Sequence, residues 1–207
     1  MAPIRDKYTI HSKAVVCQDV ELKGDITIGS GRSIVHPKAT IFAIAGPIVI
    51  GSGCIIEEGA IIVNRRKEVM RIGDDNLFEI GCRVESPTVG DFNTISTRAR
   101  VHHTVRIGSY CVIGAGCLVV PTEDEFLDDY TVIYGPAAER RTWSGRGKVQ
   151  EADLREKARR VSPRDASKIQ PATAWRRVLA SVSSIVSNVI NGFRTADTIY
   201  MVSTKLA

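Results

Sequence analysis

The sequence is poor in the residues that usually fill a helical bundle. Phe, Tyr and Trp together make up 6% of 207 residues, with two Trp and three Met. It has no run of 18 apolar residues, so no segment reads as a membrane-spanning helix. Met1-Ala2-Pro3-Ile4-Arg5-Asp6-Lys7 lacks the hydrophobic stretch of a secretory signal. The five cysteines are odd in number, scattered singly and free of any Cys-x-x-Cys pair, which excludes a disulfide framework. They are expected to be reduced thiols in a cytosolic protein. No phosphate loop, Ser-His-Asp order or Cys-His nucleophile spacing is present.

Glycine, by contrast, occurs 17 times, which together with the scarce aromatics favours many short strands and tight turns. Charge is unevenly spread. Met1 to Pro136 holds 14 Lys+Arg against 17 Asp+Glu, whereas Ala137 to Ala207 holds 14 against 6. The whole basic excess sits in the last third, so two parts are expected: residues 1–136, and a basic, helical or partly disordered extension over 137–207.

Repetition decides the first part. Ile10, Val16, Leu22, Ile28 and Ile34 are spaced by six, as are Ile50, Ile56 and Ile62, then Ile72, Phe78 and Val84. Val89, Ile95, Val101, Ile107, Ile113 and Val119 follow without a gap, and Ile41 completes 18 slots. A helix would show steps near 3.6 and a simple strand steps of 2. Six suits a strand path that turns a corner after each inward residue. A longer period agrees: an apolar residue followed by glycine recurs at Gly29, Gly51, Gly73, Gly90 and Gly108, at intervals of 22, 22, 17 and 18. Three hexads make one coil, and the two long intervals place extra residues between Ile34 and Ile50 and between Ile62 and Ile72. These glycines are expected at corners with positive φ. Ala14, Cys54, Ala60, Cys82, Ala99, Cys111 and Cys117, four residues after apolar slots, read as compact buried fillers. The pattern predicts an all-β repeat, a three-sided prism of about six coils of parallel strands. Tyr130 to Tyr134 reads as the last strand, ended by Gly135-Pro136.

Hexads of this type resemble the left-handed parallel β-helix, the hexapeptide-repeat family. That resemblance alone implies the left hand, since parallel crossovers are otherwise right-handed. The fold is shared by hexapeptide acyltransferases, γ-class carbonic anhydrases and two small dynactin subunits. Gly24-Asp25-Ile26-Thr27-Ile28-Gly29, Ile34-Val35-His36-Pro37-Lys38-Ala39, Ala45-Gly46-Pro47-Ile48-Val49-Ile50-Gly51, Ile55-Ile56-Glu57-Glu58 and Asn76-Leu77-Phe78-Glu79-Ile80-Gly81-Cys82 look specifically like the dynactin subunit 6 family. The similarity runs in order over about residues 10–141. It implies a non-enzymatic scaffold in the pointed-end complex of dynactin, beside the second β-helix subunit and the actin-related pointed-end protein. Such a subunit would be cytoplasmic, associated with the cytoskeleton, and would support dynein-driven transport along microtubules. The loops Ile44 to Pro47, Asn64 to Met70 and Glu123 to Asp129 are the candidate partner contacts, with Ile44, Pro47, Arg65, Arg66, Glu123 and Asp124 singled out.

The rival is a homotrimeric acyltransferase or anhydrase-like enzyme with His103 at a subunit boundary. By resemblance to the anhydrases, His103 falls near one metal-ligand slot, but Arg98 and Val63 occupy the other two. One ligand of three does not hold zinc, so no metal and no cofactor are expected. His102-His103 as an acyltransfer base would need an oriented imidazole and a cleft, and the pair reads first as polar surface. His36 reads as a turn residue before Pro37, and His11 lies at the chain start. Nucleic acid is disfavoured, because Arg155, Lys157, Arg159, Arg160 and Arg164 are mixed with Glu151, Asp153 and Glu156.

The extension contains a charged helix candidate from Val149 to Val161, and Ser162-Pro163 is a candidate phosphorylation site. Residues 175–193 carry Trp175, Val178, Leu179, Val182, Ile185, Val186, Val189, Ile190 and Phe193 at helical steps. This helix reads first as docked along the prism. A partner-binding or membrane-interface helix are the alternatives, the last disfavoured by the lack of a Lys-rich band.

Overall fold

Aliphatic groups returning every sixth residue are buried together if the chain bends after each short strand and stacks coil upon coil. The computed structural model, which describes residues 6–159, does this. It divides into two compact units, Met1–Arg146 and Gly147–Ala207. In the first, successive strands fall in turn on three parallel sheets, here faces A, B and C. Face A stacks Lys7–Ile10, Asp25–Ile28, Ile48–Ile50, Met70–Ile72, Thr88–Val89, Val105–Ile107 and Glu125–Leu127. Face B stacks Val15–Val16, Ile34–Val35, Ile55–Ile56, Leu77–Phe78, Thr94–Ile95, Val112–Ile113 and Thr131–Tyr134. Face C stacks Glu21–Lys23, Thr40–Ala43, Ile61–Asn64, Arg83–Val84, Arg100–Val101 and Leu118–Val119. The prism therefore has six complete coils and two sides of a seventh.

The inward column of face B runs Val16, Val35, Ile56, Phe78, Ile95, Ile113 and Ile133 in register. Val35, rather than Ile34, fills the second slot, because the turn after Ile28 holds one residue more than its counterparts. Ile34 faces outward yet is only 8% exposed, because face B is apolar and buried on its outside too, through Ile55, Leu77, Val112 and Val132. A second set of inward positions is filled by Ala39, Ala60, Cys82, Ala99 and Cys117 at one corner and by Cys54 and Cys111 at another, all buried. Burial pushes the thiol of Cys54 up to about 12 and that of Cys111 up to about 11, so these groups remain protonated filler.

The glycines after the inward residues do not take positive φ. Gly51, Gly73, Gly90 and Gly108 are required by close approach of neighbouring rungs: a Cβ on Gly90 would sit 2.5 Å from the carbonyl oxygen of Gly108. Positive φ is found further round the corners, at Gly53, Asp75, Phe92, Tyr110 and Tyr130 on the A–B corner and at Lys38, Gly59, Gly81, Arg98 and Gly116 on the B–C corner. The two kinds of glycine should respond differently to substitution. Gly90→Ala is expected to cost up to about 3 kcal/mol, since two backbones must part. Gly59→Ala, with nothing within 4 Å of the new Cβ, should cost only about 1 kcal/mol, the strain of its left-handed backbone. Urea midpoints of the two variants check the order.

The chain does not leave the sheet at Gly135-Pro136. Glu139–Thr142 turns back antiparallel on Thr131–Tyr134 and adds an eighth strand to face B. Arg141 lies 5.2 Å from the centre of the Tyr134 ring, and Trp143 is buried beside Tyr130. In the second unit, Lys148–Arg159 is a helix laced by Glu151–Arg155 and Asp153–Lys157 ion pairs at i,i+4 spacing. Ser162 and the segment 175–193 lie outside the described residues. Among the described residues no helix is long and apolar enough to cross a membrane.

Candidate functional site: the insertion edge between faces C and A

The corner from face C to face A is where the repeat is most often interrupted. The inward Ile41 and Ile50 are nine positions apart, Ile62 and Ile72 ten, and Val119 and Leu127 eight, against the usual step of six. The first two insertions are locked to each other. Asn64, 2% exposed, donates from Nδ2 to the carbonyls of Pro47 (3.0 Å) and Glu68 (2.8 Å) and accepts from the Arg66 amide (2.9 Å). The amides of Ile44 and Ala45 donate to the Asn64 carbonyl. Gly46 passes so close to the backbone of 66–68 that no side chain would fit. A single buried amide thus converts two loops into a rigid bracket, with Ile44 and Val69 40% and 37% exposed on its rim.

Arg66 carries the bracket upward. Its guanidinium passes the short turns of the next two coils and meets Asp124 at 2.9 Å, in the third insertion. That hydrogen bond holds the Asp124 carboxyl below its usual range. Arg65 pairs with Glu85 at 2.9 Å, and Glu85 also takes Arg83 at 2.6 Å. Glu125 takes Arg140 from the returning strand. Of the residues singled out from sequence, the structure brings Arg66 and Asp124 together, stacks Ile44 and Pro47 against the Asn64 loop, and directs Arg65 to Glu85. Glu123 is exposed beside Asp124.

His102 and His103 sit on the same edge, their rings 3.9 Å apart and tilted by 49°. Nδ1 of His102 is engaged with the Thr104 hydroxyl at 3.0 Å. Nδ1 of His103 is buried with no hydrogen-bond partner. Burial first, then His102 and Arg66, push the His103 imidazole below its ordinary value. A general base is normally oriented through its second ring nitrogen, and here that nitrogen has nothing to orient it. Val63 is buried two rungs away on Ile61–Asn64 and Arg98 is exposed at the B–C corner, so neither is placed to share a metal with His103. Among the described residues no group of three or more His, Cys, Asp or Glu is positioned to hold a metal ion.

Three features were not anticipated from sequence. Asn64 organises the bracket, a role its place before Arg65-Arg66 only hints at. Leu118, Val120 and Phe126 are 58%, 51% and 60% exposed apolar side chains on the last coils. Glu57 and Glu79 form a buried acidic stack under the B–C corner.

Three sheets of short parallel strands, hexad-spaced aliphatic columns and left-handed backbone at two corners define a hexapeptide-repeat parallel β-helix. Compared with solved structures, it is similar to a hexapeptide transferase family protein from Anaplasma phagocytophilum, with a TM-score of 0.65 over 73% of this chain and 89% of that one. The identity is 16%, so the likeness concerns the fold, a left-handed β-helix. Among curated proteins the chain is 43% identical over 152 residues to dynactin subunit 6 of Xenopus tropicalis, covering 68% of this chain and 74% of the relative. It is 40% identical over 159 residues to dynactin subunit 6 of Nematostella vectensis, covering 72% of this chain and 85% of the relative. No model of a protein family matches the chain. The chain belongs to the dynactin subunit 6 family.

Proposed function

We propose that the protein is a non-enzymatic structural subunit of dynactin. In this reading it sits in the pointed-end complex with the second β-helix subunit and the actin-related pointed-end protein, in the cytoplasm and on the cytoskeleton, and supports dynein-driven transport along microtubules. Its similarity to dynactin subunit 6 proteins supports the assembly. The observation that carries the scaffold role is the insertion edge: loops that interrupt the repeat are fixed by a buried asparagine and by ion pairs, which gives a rigid surface and no moving parts. The bridging guanidinium of Arg66 joins loops 58 residues apart and keeps that surface continuous.

A second reading, a homotrimeric acyltransferase, is favoured by the shared fold of the Anaplasma protein and by the paired histidines. Expression of the tagged full chain in cells separates the two. The scaffold reading expects it to elute with an actin-related filament complex and, alone, to scatter light as a species other than a homotrimer. A stable homotrimer with about one zinc per chain, or a turnover lost in His103→Ala, would establish the enzyme instead.

A further inference from the structure

Among the described residues the seventh coil has strands on faces A and B but none on face C, whose outermost strand is Leu118–Val119. The parallel ladder beneath it fixes where its amides point. Arg100 and His102 donate upward to the carbonyls of Cys117 and Val119, so by the same alternation the amides of Leu118 and Val120 face away from the sheet. Leu118 and Val120 flank this edge with side chains 58% and 51% exposed, and Ile80 at the neighbouring corner is 45% exposed. An open edge with uncovered apolar groups is one that proteins normally protect.

The charge around the edge is of one sign at its start. Arg98 and Arg100 are exposed at the B–C corner and on the strand immediately below, and among the described residues neither is in an ion pair. The exposed residues of 96–102 and 114–121 include no carboxylate, and Glu85 is held by Arg65 and Arg83. At the other end of the strand the sign reverses at Glu123 and Asp124. Face B cannot compete for partners, since its outer row is already buried.

We propose that the Leu118–Val120 edge of face C accepts an extended acidic segment of a neighbouring subunit as a seventh strand, with its carboxylates on Arg98 and Arg100 and an apolar side chain over Leu118. Main-chain hydrogen bonds to the Leu118 and Val120 amides set the register. The arginines at the start and the carboxylates at the end fix the direction of the added strand, parallel to the sheet with its acidic residues first. The proposal deepens the scaffold reading and rests on it.

The test uses the full chain purified with its assembly. The double variant Arg98→Glu/Arg100→Glu changes exposed side chains only and should leave the circular dichroism spectrum unaltered. It is expected to weaken retention by the assembly roughly tenfold or more. Arg71→Glu, on the outside of face A, should leave retention unchanged. A photo-crosslinking residue at position 118 should capture a carboxylate-rich peptide of another dynactin subunit. If the wild-type chain joins no assembly, the scaffold reading itself fails. If wild type and double variant are retained equally, or position 118 crosslinks to a second copy of this chain or to a basic segment, the edge proposal fails while the scaffold reading stands.

Discussion

Replacing Phe78 by Ala is expected to destabilise the protein by about 3–5 kcal/mol, the cost of a large cavity in a packed core. Phe78 is fully buried and is the aromatic member of the buried core cluster of the prism among the described residues. It lies between Ile56 and Ile95 in its column, with Val84 completing its coil on the next face, so no nearby side chain can expand into the space. In a stack of coils each rung is held only by its two neighbours, so damage at the fourth coil separates the two halves of the prism. Unfolding in urea should therefore become broader as well as earlier. The same truncation at Ile10 should cost less than about 1 kcal/mol, because that slot is in the first coil and 41% exposed. Equal losses at the two positions would mean that the column does not act as a continuous core.

This hierarchy explains why the prism could be read from sequence and several of its details could not. An inward slot admits only an apolar group, so hexads were visible over more than a hundred residues. Where both sides of a sheet are apolar the phase becomes ambiguous, and on the doubly buried face B the hexad spacing points to Ile34 although Val35 fills the slot. The strand Glu139–Thr142 carries no apolar alternation at all. It is exposed throughout and is held by backbone pairing and by Arg140 on Glu125, neither of which has a sequence period. The recurring glycines suit a positive-φ corner by sequence, but what requires them is the approach of rung to rung, a property of the stack and not of the local chain. The insertion edge was legible as three loops of unusual length. That Arg66 meets Asp124 was not, since only the height of two intervening coils brings them together.

The acidic stack escaped notice for a related reason, and it carries the largest pH effect expected of this protein. Glu57 follows the inward Ile56 into the B–C corner and is 2% exposed, and Glu79 is 6% exposed. The pairing of Ile56 with Phe78 places the two carboxyls on successive rungs. Oε2 of Glu57 accepts the Ile80 amide at 3.0 Å, while its Oε1 is buried without a partner. Burial first, then the neighbouring Glu79 carboxylate, push the Glu57 carboxyl up to about 8 from 4.5. His36, one rung earlier in the column, is pushed down by its own burial, Cys82 stays a thiol, and Lys38 is paired with Glu58 at the surface.

Folded Glu57 thus keeps a proton that the unfolded chain releases near pH 4.5. Between that pH and about 8 the folded state binds more protons than the unfolded one, so stability falls as pH rises and levels off above the folded value. Relative to Glu57→Gln, which cannot ionise, the wild type should lose up to about 1.4 kcal/mol per pH unit across this window. The two proteins should be close at pH 5, and the variant should be clearly the more stable at pH 8.5. Urea denaturation at pH 5, 7 and 8.5 measures the gap. Parallel stability curves for the two proteins would show that Glu57 is ionised in the fold at neutral pH. Glu57 would then carry its charge beside Glu79 with the Ile80 amide on Oε2 and a buried Oε1 that no donor reaches.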